Sequence, residues 1–436
     1  MSDISKNVDL KSAIVDIVKI CSSTGAKADV IMGEYFSTVN CPFRNAVEAI
    51  VLQWLRNKIL IDRAFLSVCA KKPKNAVFSV LRAAAADIMS GDSEKFAQIV
   101  HSWVEFSKKK LSKNESGFVN AVLRKFPLAV ADLTSGGNSS QALSVKFSHP
   151  QWLVEKWQKN FGGEETVKIL ESNQIPSEVF FRKSYDKKAD EIFEGFKQYF
   201  AETEFENFHK LKSGAWHDVK ELLKTPYFYI QDPSTSFAVK QFAPKNGSFL
   251  DLCAAPGGKS RFIADLVLRD SPADKLENSL LVSVDMEDRI EPLAENMAKI
   301  GFMKMEVLAC DILKDNLAEI LADKNLPDVF DGVFIDAPCS NSGVLRRRPD
   351  ARYRIEKSDI SNCAEKQLEI LGGAKNFVKS GGKLEYSTCS IEPEENGNVI
   401  SKFLEQNKNF KLVESGILLP AKNNDGAGFA LFEKLS

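Results

Sequence analysis

Along the first 130 residues, apolar side chains return every three or four positions. Ala46, Ile50, Leu52, Leu55 and Ile59 form one stripe, and Val77, Val80, Leu81, Ala84 and Ile88 another. A third stretch runs from Phe96 through Trp103 and Phe106, a fourth through Phe118, Val122 and Leu123. This is the spacing of amphipathic helices, and strand-like alternation is scarce, so residues 4–130 are expected to be helical. LTSGGNSSQALS (133–144) is uncharged and rich in Gly, Ser and Asn, which reads as linker.

The next segment, 145–228, is mixed. SHPQWLVEKWQKNFG predicts a short helix with Ser148 as cap and Pro150 in its first turn. EVFFRKS (178–184) predicts a strand. The charged stretch to Lys212 predicts a helix with Phe193, Phe196 and Phe200 on one face, and PYFYI (226–230) a further strand. A small α+β module of this kind serves either as an RNA-binding unit or as a platform for the next domain.

From about 229 the texture changes to short apolar runs, each ending in a polar turn before a helical stretch. The expected strands are SFLDL (248–252), LLVSV (280–284), MEVLA (305–309), GVFID (332–336) and KLEYS (383–387). Alternating β and α elements imply a doubly wound, mostly parallel, Rossmann-like α/β sheet. The expected organisation is therefore multi-domain: all-α over 1–140, α+β over 145–228 and α/β over 229–436. In such sheets ligands bind beyond the carboxyl ends of the strands, so the chemistry is expected in the five turns at those ends.

Composition narrows the class without choosing the function. The 436 residues are 44% hydrophobic and 27% charged, which excludes collagen-like, low-complexity and wholly disordered chains. No apolar run approaches the ~20 residues of a membrane span, and MSDISKNVDLK lacks the apolar core of a signal peptide. A cytoplasmic protein without a membrane partner is the expectation. Eight cysteines without a C-x-x-C pair and four histidines without zinc spacing argue for isolated thiols and against a metal. The net charge of −1 conceals an asymmetry. Residues 1–150 hold 20 Lys and Arg against 13 Asp and Glu; the remainder holds 38 against 46. A basic first part suits a polyanion such as nucleic acid, but ordinary solvated faces would give the same count.

The strand ends carry the candidate chemistry. The first turn, Asp251-Leu-Cys-Ala-Ala-Pro-Gly-Gly-Lys-Ser260, has adjacent glycines, Gly257 and Gly258, ahead of a helix. A Walker loop needs glycine where Cys253 stands, and G-x-G-x-x-G is absent. What remains suits a nucleoside ligand without a pyrophosphate, of which S-adenosylmethionine is the common case. Asp285 and Asp311 end the next two strands, where carboxylates can accept from ribose hydroxyls and the adenine amino group. Either acid alone would more often be a helix cap. The fourth turn runs from Asp336 through Cys339 to Asp350, and the fifth is Tyr386-Ser-Thr-Cys-Ser390. Cys339 and Cys389 thus fall past strands on the ligand side. A lone cysteine is usually a small buried hydrophobe, whereas two across one cleft point to chemistry or to a disulfide.

Together DLCAAPGGKS, DAPCS-x-SGV-x-RRxPD and YSTCS resemble the RNA cytosine-C5 methyltransferases, specifically the RsmB-type (Sun or Fmu) bacterial ribosomal RNA enzymes. HPQWLVEKWQKNFG, VFFRKS and QDPSTSFAV (231–239) are similar to that family's segments ahead of the catalytic domain. GFVNAVLRKF (117–126) looks like the end of its NusB-like helical domain, and DGAGFALFEK (425–434) like its closing strand pair. The resemblance implies an S-adenosylmethionine-binding turn of Cys253, Ala254, Ala255, Pro256, Gly257, Gly258 and Lys259, with Asp285, Asp311 and Asp336. It implies Cys389 as nucleophile and Cys339 as the thiol that assists product release. Ribosomal RNA is the implied partner, and no obligate protein partner is implied. Two departures stand beside the motifs. Asn341-Ser342 replace the usual Gly-Thr after Pro-Cys-Ser, and Ser-Arg-Phe replaces Thr-Thr after the first turn.

The implied reaction suits these groups. Cytosine C5 is a poor nucleophile, and a thiolate adding to C6 pushes electron density onto it. Lys259 is a candidate for favouring the thiolate, and Asp336 for holding cytosine N3 and its amine. The target base must leave its stack, which favours an unpaired RNA cytidine. Arg346, Arg347, Arg348, Arg352 and Arg354 flank the fourth turn and suit phosphate contacts, with a solvated loop as the alternative reading. Small-subunit (16S) ribosomal RNA is the expected substrate. The alternatives are a transfer RNA cytosine-C5 methyltransferase and a non-catalytic RNA-binding assembly factor. A DNA cytosine methyltransferase would leave the YSTCS cysteine unexplained.

Overall fold

A computed structural model of the chain describes residues 7–436. Residues 4–6 of the expected helical span, and the first six residues of the segment read for a leader, lie outside the described residues. The chain divides into two compact units, Met1–Pro176 with Leu345–Arg354, and Ser177–Val344 with Ile355–Ser436. This differs from the three-part division read from the sequence.

The first unit is helical, with successive helices over Leu10–Ser23, Ala28–Thr38, Arg44–Arg56, Lys58–Val68, Asn75–Ser90, Phe96–Lys110 and Lys113–Thr134. Caps fix where two of them start. Asp9 accepts the Ser12 N–H at 3.0 Å, and Ser112 and Glu115 form a reciprocal capping box. The apolar stripes close on one core that includes Val51, Trp54, Phe65, Leu81, Ala84, Trp103, Val122 and Phe126. The expected linker is only partly a linker. Ser139 accepts the Ala142 N–H at 3.2 Å and caps a helix over Ser140–Lys146. The following helix, Gln151–Ser172, is longer than expected, with a break at Gly162 (φ 81°). Ser148 does not cap it, because its hydroxyl is taken by the Leu60 N–H at 3.0 Å.

The second unit contains two sheets. The smaller has strands β1 (Phe180–Lys183), β2 (Phe200–Ala201), β3 (Phe208–Leu211) and β4 (Phe228–Ile230), in antiparallel order β2-β3-β1-β4. The long helix expected up to Lys212 is absent. The helix covers Lys187–Glu194 and ends at Gly195, after which Phe200 begins a strand. Phe193 and Phe200 still share one core with Phe181 and Phe228, so aromatic residues at helical spacing serve different elements.

The larger sheet has seven strands: β5 (Ser248–Leu252), β6 (Leu280–Asp285), β7 (Lys304–Ala309), β8 (Phe330–Asp336), β9 (Val378–Thr388), β10 (Phe410–Leu418) and β11 (Ala427–Lys434). Their order is β10-β11-β9-β8-β5-β6-β7. Strands β5 to β9 pair in parallel, whereas β11 pairs antiparallel with both β9 and β10. One face closes over Leu250, Val282, Val333, Leu384 and Tyr386. On the other, Phe180 and Phe208 of the small sheet join Phe249, Phe262, Leu266 and Phe334 in one core. The small sheet is thereby built onto the larger one as a platform. A buried polar contact reinforces the join: Arg182 pairs with Asp265, and its Nε donates to Gln231 at 2.7 Å.

Candidate active site

The glycine turn leaves β5 at Cys253, whose φ is +60°. Ala254 N–H donates to the Val284 carbonyl at 3.0 Å, tying the turn to the end of β6. Gly257 has φ +98°, and a Cβ there would come within 2.8 Å of the Met297 Cε, so both backbone and space require glycine. Asn296 donates to the Pro256 carbonyl at 2.8 Å, and Gly258 opens the helix Gly258–Asp270. The turn is therefore held from several sides before any ligand arrives.

Four carboxylates gather at the strand ends. Asp251 is fully buried, accepts from the Ser260 hydroxyl, and is pushed up to about 7, mainly by burial. Asp285 accepts the Ala255 and Met286 N–H groups, each at 2.8 Å, which fixes the carboxylate against the glycine turn. Asp311 follows β7 and is engaged by its own turn. It accepts the Leu313 N–H at 3.1 Å and Lys314 at 2.7 Å, and the Lys314 bond leads in holding its pKa below the ordinary value. Asp336 ends β8 and pairs with Lys259. Burial works to discharge Lys259, but the Asp336 carboxylate and the neighbouring Cys389 outweigh it, so the ammonium is retained.

Beyond β8 and β9 the two sulfurs meet. Cys339 Sγ and Cys389 Sγ lie 2.8 Å apart in hydrogen-bond contact. That bond, followed by burial, raises the Cys339 thiol well above its ordinary pKa. Cys389 Sγ also contacts Asn341 Oδ1 at 3.3 Å, while Asn341 Nδ2 donates to the Cys339 carbonyl at 2.9 Å. Asn341 takes φ +62°, so the residue that departs from the resembled pattern shapes the turn and touches the second sulfur.

The turns are also joined through their backbones. Gly343 N–H donates to the Cys389 carbonyl at 3.0 Å, and Gly426 N–H to the Gly343 carbonyl at 2.8 Å. A Cβ at Gly343 would sit 2.7 Å from the Cys389 oxygen, so glycine alone permits this approach. Three further residues of the site were not singled out from the sequence. Glu395 accepts from both turns, Gln367 donates to the Pro338 carbonyl at 2.9 Å, and Asn396 donates to the Ser390 carbonyl at 3.0 Å. The available signal was the repeated Cys-Ser pair, 339–340 and 389–390, which gives each turn a hydroxyl in the same register.

The structure does not bring the arginines together as one phosphate grip. Leu345–Arg354 belongs to the helical unit, where Arg346 is 1% exposed and Arg352 fully buried. Arg352 donates to the carbonyls of Arg56, Phe147, Asn173 and Leu345 at 3.0–3.3 Å. Tyr353 donates to the Leu55 and Ser148 carbonyls at 2.7 and 3.0 Å. The expectation of phosphate contact is thus corrected for Arg346, whose side chain is enclosed; Arg347 is half-buried and Arg348 exposed.

Comparison with known proteins places the chain in a family. Residues 239–432 match the family described as 16S rRNA methyltransferase RsmB/F, and residues 11–127 match the NusB family. The probable ribosomal RNA small subunit methyltransferase B of Bacillus subtilis is 29% identical over 84% of this chain and 81% of its own. Ribosomal RNA small subunit methyltransferase B of an Escherichia coli strain is 31% identical, over 72% of this chain and 71% of its own. A solved methyltransferase homolog protein from Pyrococcus horikoshii shares the fold at 23% identity with a TM-score of 0.56, over 69% of this chain and 100% of that one. A chain with a helical NusB domain ahead of a Rossmann-like sheet, two thiols past the carboxyl ends of its strands, and a relation to these enzymes over most of its length belongs to the RsmB/F family of RNA methyltransferases.

Proposed function

We propose that the protein transfers a methyl group from S-adenosylmethionine to C5 of a cytidine in small-subunit ribosomal RNA, with Cys389 as nucleophile. The observation that carries this reading is the contact of the Cys339 and Cys389 thiols beside the Lys259–Asp336 pair at one sheet edge. A single thiol would serve a simple nucleophilic displacement. Two, of which Cys339 is held strongly as a thiol, suit a reaction that forms a carbon–sulfur bond and later breaks it.

The donor set fits the proposed methyl donor. A tight glycine turn with carboxylates at 285 and 311 suits a nucleoside that carries a cationic centre and no phosphate better than a phosphorylated one. Cys253 to Lys259, with Asp285 and Asp311, would hold it. When bound, it supplies an electrophilic methyl group and a positive charge near the thiols. Cys389 adds as thiolate to cytosine C6, and the electron pair moves to C5, which then acts as the carbon nucleophile. The Lys259 ammonium lies beside the attacking sulfur, and Asp336 accepts from the cytosine amino group. After C5 gains its methyl group, its proton passes to solvent water, the C–H electron pair restores the C5–C6 double bond and the Cys389–C6 bond breaks. Cys389 leaves as the thiolate it entered as, and Cys339 assists that release as a hydrogen-bond partner of the departing sulfur. Arg348 and the basic helical unit would add phosphate contacts, and a ribosomal substrate would be met in the cytoplasm.

The test is transfer of labelled methyl from S-adenosylmethionine to unmodified small-subunit ribosomal RNA, with transfer RNA in parallel and products read as nucleosides. The expected product is 5-methylcytidine in ribosomal RNA. Label in transfer RNA alone would overturn the substrate, and no label from folded protein would overturn the reaction.

A further inference from the structure

We infer that Glu395 is the positioning residue of the dithiol site, a buried carboxylate that ties the Cys339 turn to the Cys389 turn and so fixes the approach of the two sulfurs. The inference rests on the proposed role of those sulfurs. Its evidence is the donor set around one side chain. Ser340, which follows Cys339, donates both its N–H (2.9 Å, to Oε2) and its hydroxyl (to Oε1). Ser390, which follows Cys389, donates its hydroxyl to the same Oε1 at 2.7 Å. Gln367 donates to Oε2 at 2.9 Å and, with the same nitrogen, to the carbonyl of Pro338, the residue before Cys339. The backbone end is pinned as well, because the Tyr386 hydroxyl donates to the Glu395 carbonyl at 2.6 Å.

Glu395 is completely buried, yet its carboxylate meets four donors, the condition under which a buried charge is tolerated. Two turns 50 residues apart in sequence thus share one acceptor atom. Bonds to a charged group are the stronger kind, and inside a protein they are little screened. The carboxylate makes no contact with either sulfur among the contacts described, so it acts through Ser340 and Ser390. Its charge nonetheless opposes ionisation of Cys339, which helps keep that residue a thiol beside Cys389.

The test uses the full chain carrying Glu395→Gln, which keeps the shape but turns one acceptor into a donor, and Glu395→Asp, which keeps the charge. Two readouts are taken: the pH dependence of iodoacetamide alkylation at Cys339 and Cys389, mapped by peptide mass, and kcat against KM. With Gln, alkylation of Cys339 is expected to begin at lower pH. A fall in kcat of about 100-fold is expected, the scale of a small misplacement of reacting groups, with the KM for S-adenosylmethionine within about twofold. Asp is expected to recover part of both. Unchanged alkylation profiles, with kcat within about twofold of wild type, would overturn the inference. If the Gln protein does not fold, Ser340→Ala and Ser390→Ala each remove one donor. Each is expected to alter alkylation of the adjacent cysteine, and wild-type profiles in both would overturn the clamp. Alkylation needs no methyl transfer, so failure of the proposed reaction is distinguished from failure of this inference.

Discussion

Two buried charges organise two parts of this chain, and they differ in what they hold. In the helical unit the Arg352 guanidinium gathers four backbone carbonyls, from Arg56, Phe147, Asn173 and Leu345. In the catalytic unit the Glu395 carboxylate gathers donors from two cysteine turns. Each is a cross-link made of charge-assisted hydrogen bonds. The cation joins helix ends and the segment 345–354, where its loss would be felt as lost stability. The anion joins the residues beside two sulfurs, where a shift of geometry would be felt as lost rate. The same physics therefore yields a structural pin in one place and a positioning device in the other.

The largest effect is expected one residue from the anion's contacts. Cys389→Ala is predicted to abolish methyl transfer while leaving the thermal unfolding midpoint nearly unchanged, since a half-buried thiol is replaced by a slightly smaller side chain. Methyl-transfer assays and a melting curve check both parts. Substantial residual transfer would detach the anion's site from the chemistry.

Next comes the cation. Arg352→Ala leaves several buried carbonyls without their donor and is predicted to cost about 3 kcal/mol in urea unfolding, since a buried acceptor left unsatisfied costs about 1–3 kcal/mol. Arg352→Lys is expected to recover little, because an ammonium lacks the planar fork that reaches several carbonyls. A cost under about 1 kcal/mol would reduce this pin to an ordinary surface contact.

A third buried group sharpens the comparison because it lacks what the other two have. Glu385, on β9, is fully buried, and neither carboxyl oxygen has a hydrogen-bond partner among the described residues. Burial raises its pKa well above the ordinary 4.5. The unfolded chain therefore loses this proton at lower pH than the folded one. The stabilising contribution is complete below about 4.5 and is lost as pH rises towards the folded value. Glu385→Gln removes the titration and is predicted to gain on wild type by up to about 1.4 kcal/mol per pH unit through that window. Urea unfolding at pH 4 and pH 7 measures it, and a Gln protein with no relative gain at the higher pH would contradict the prediction.

The smallest effect is expected at Arg348, which is exposed in the segment that also holds Arg352. Arg348→Ala is predicted to leave stability within about 0.5 kcal/mol. It should lower the slope of log affinity for RNA against log salt by about 1, as loss of one phosphate contact does. An unchanged slope would remove Arg348 from the RNA surface.

These contrasts explain what could be read from the chain. The strand Ser248–Leu252 has the limits its sequence predicts, because a buried parallel strand is a short apolar run closed by a turn. The glycine turn and both cysteines were legible for the same reason, lying where such runs stop. Glu395 was not, since in IEPEEN it looks like one of three surface acids, and only donors brought from 340, 367 and 390 make its burial tolerable. Arg346 and Arg352 misled in the opposite direction. Five arginines in nine residues read as an exposed basic cluster, but carbonyls far away in sequence draw Arg352 inside. Phe193 and Phe200 misled through periodicity, because a core shared by a helix and a strand rewards aromatic burial without regard to helical phase.

The most direct test of the central claim is to trap the reaction on small-subunit ribosomal RNA with the Cys339→Ala protein and map the linked peptide. The account predicts a denaturant-resistant protein–RNA adduct through Cys389 that disappears when Cys389 is also replaced by Ala. An adduct that persists in the double variant would show that another residue attacks the base and would contradict the assignment of Cys389 as nucleophile.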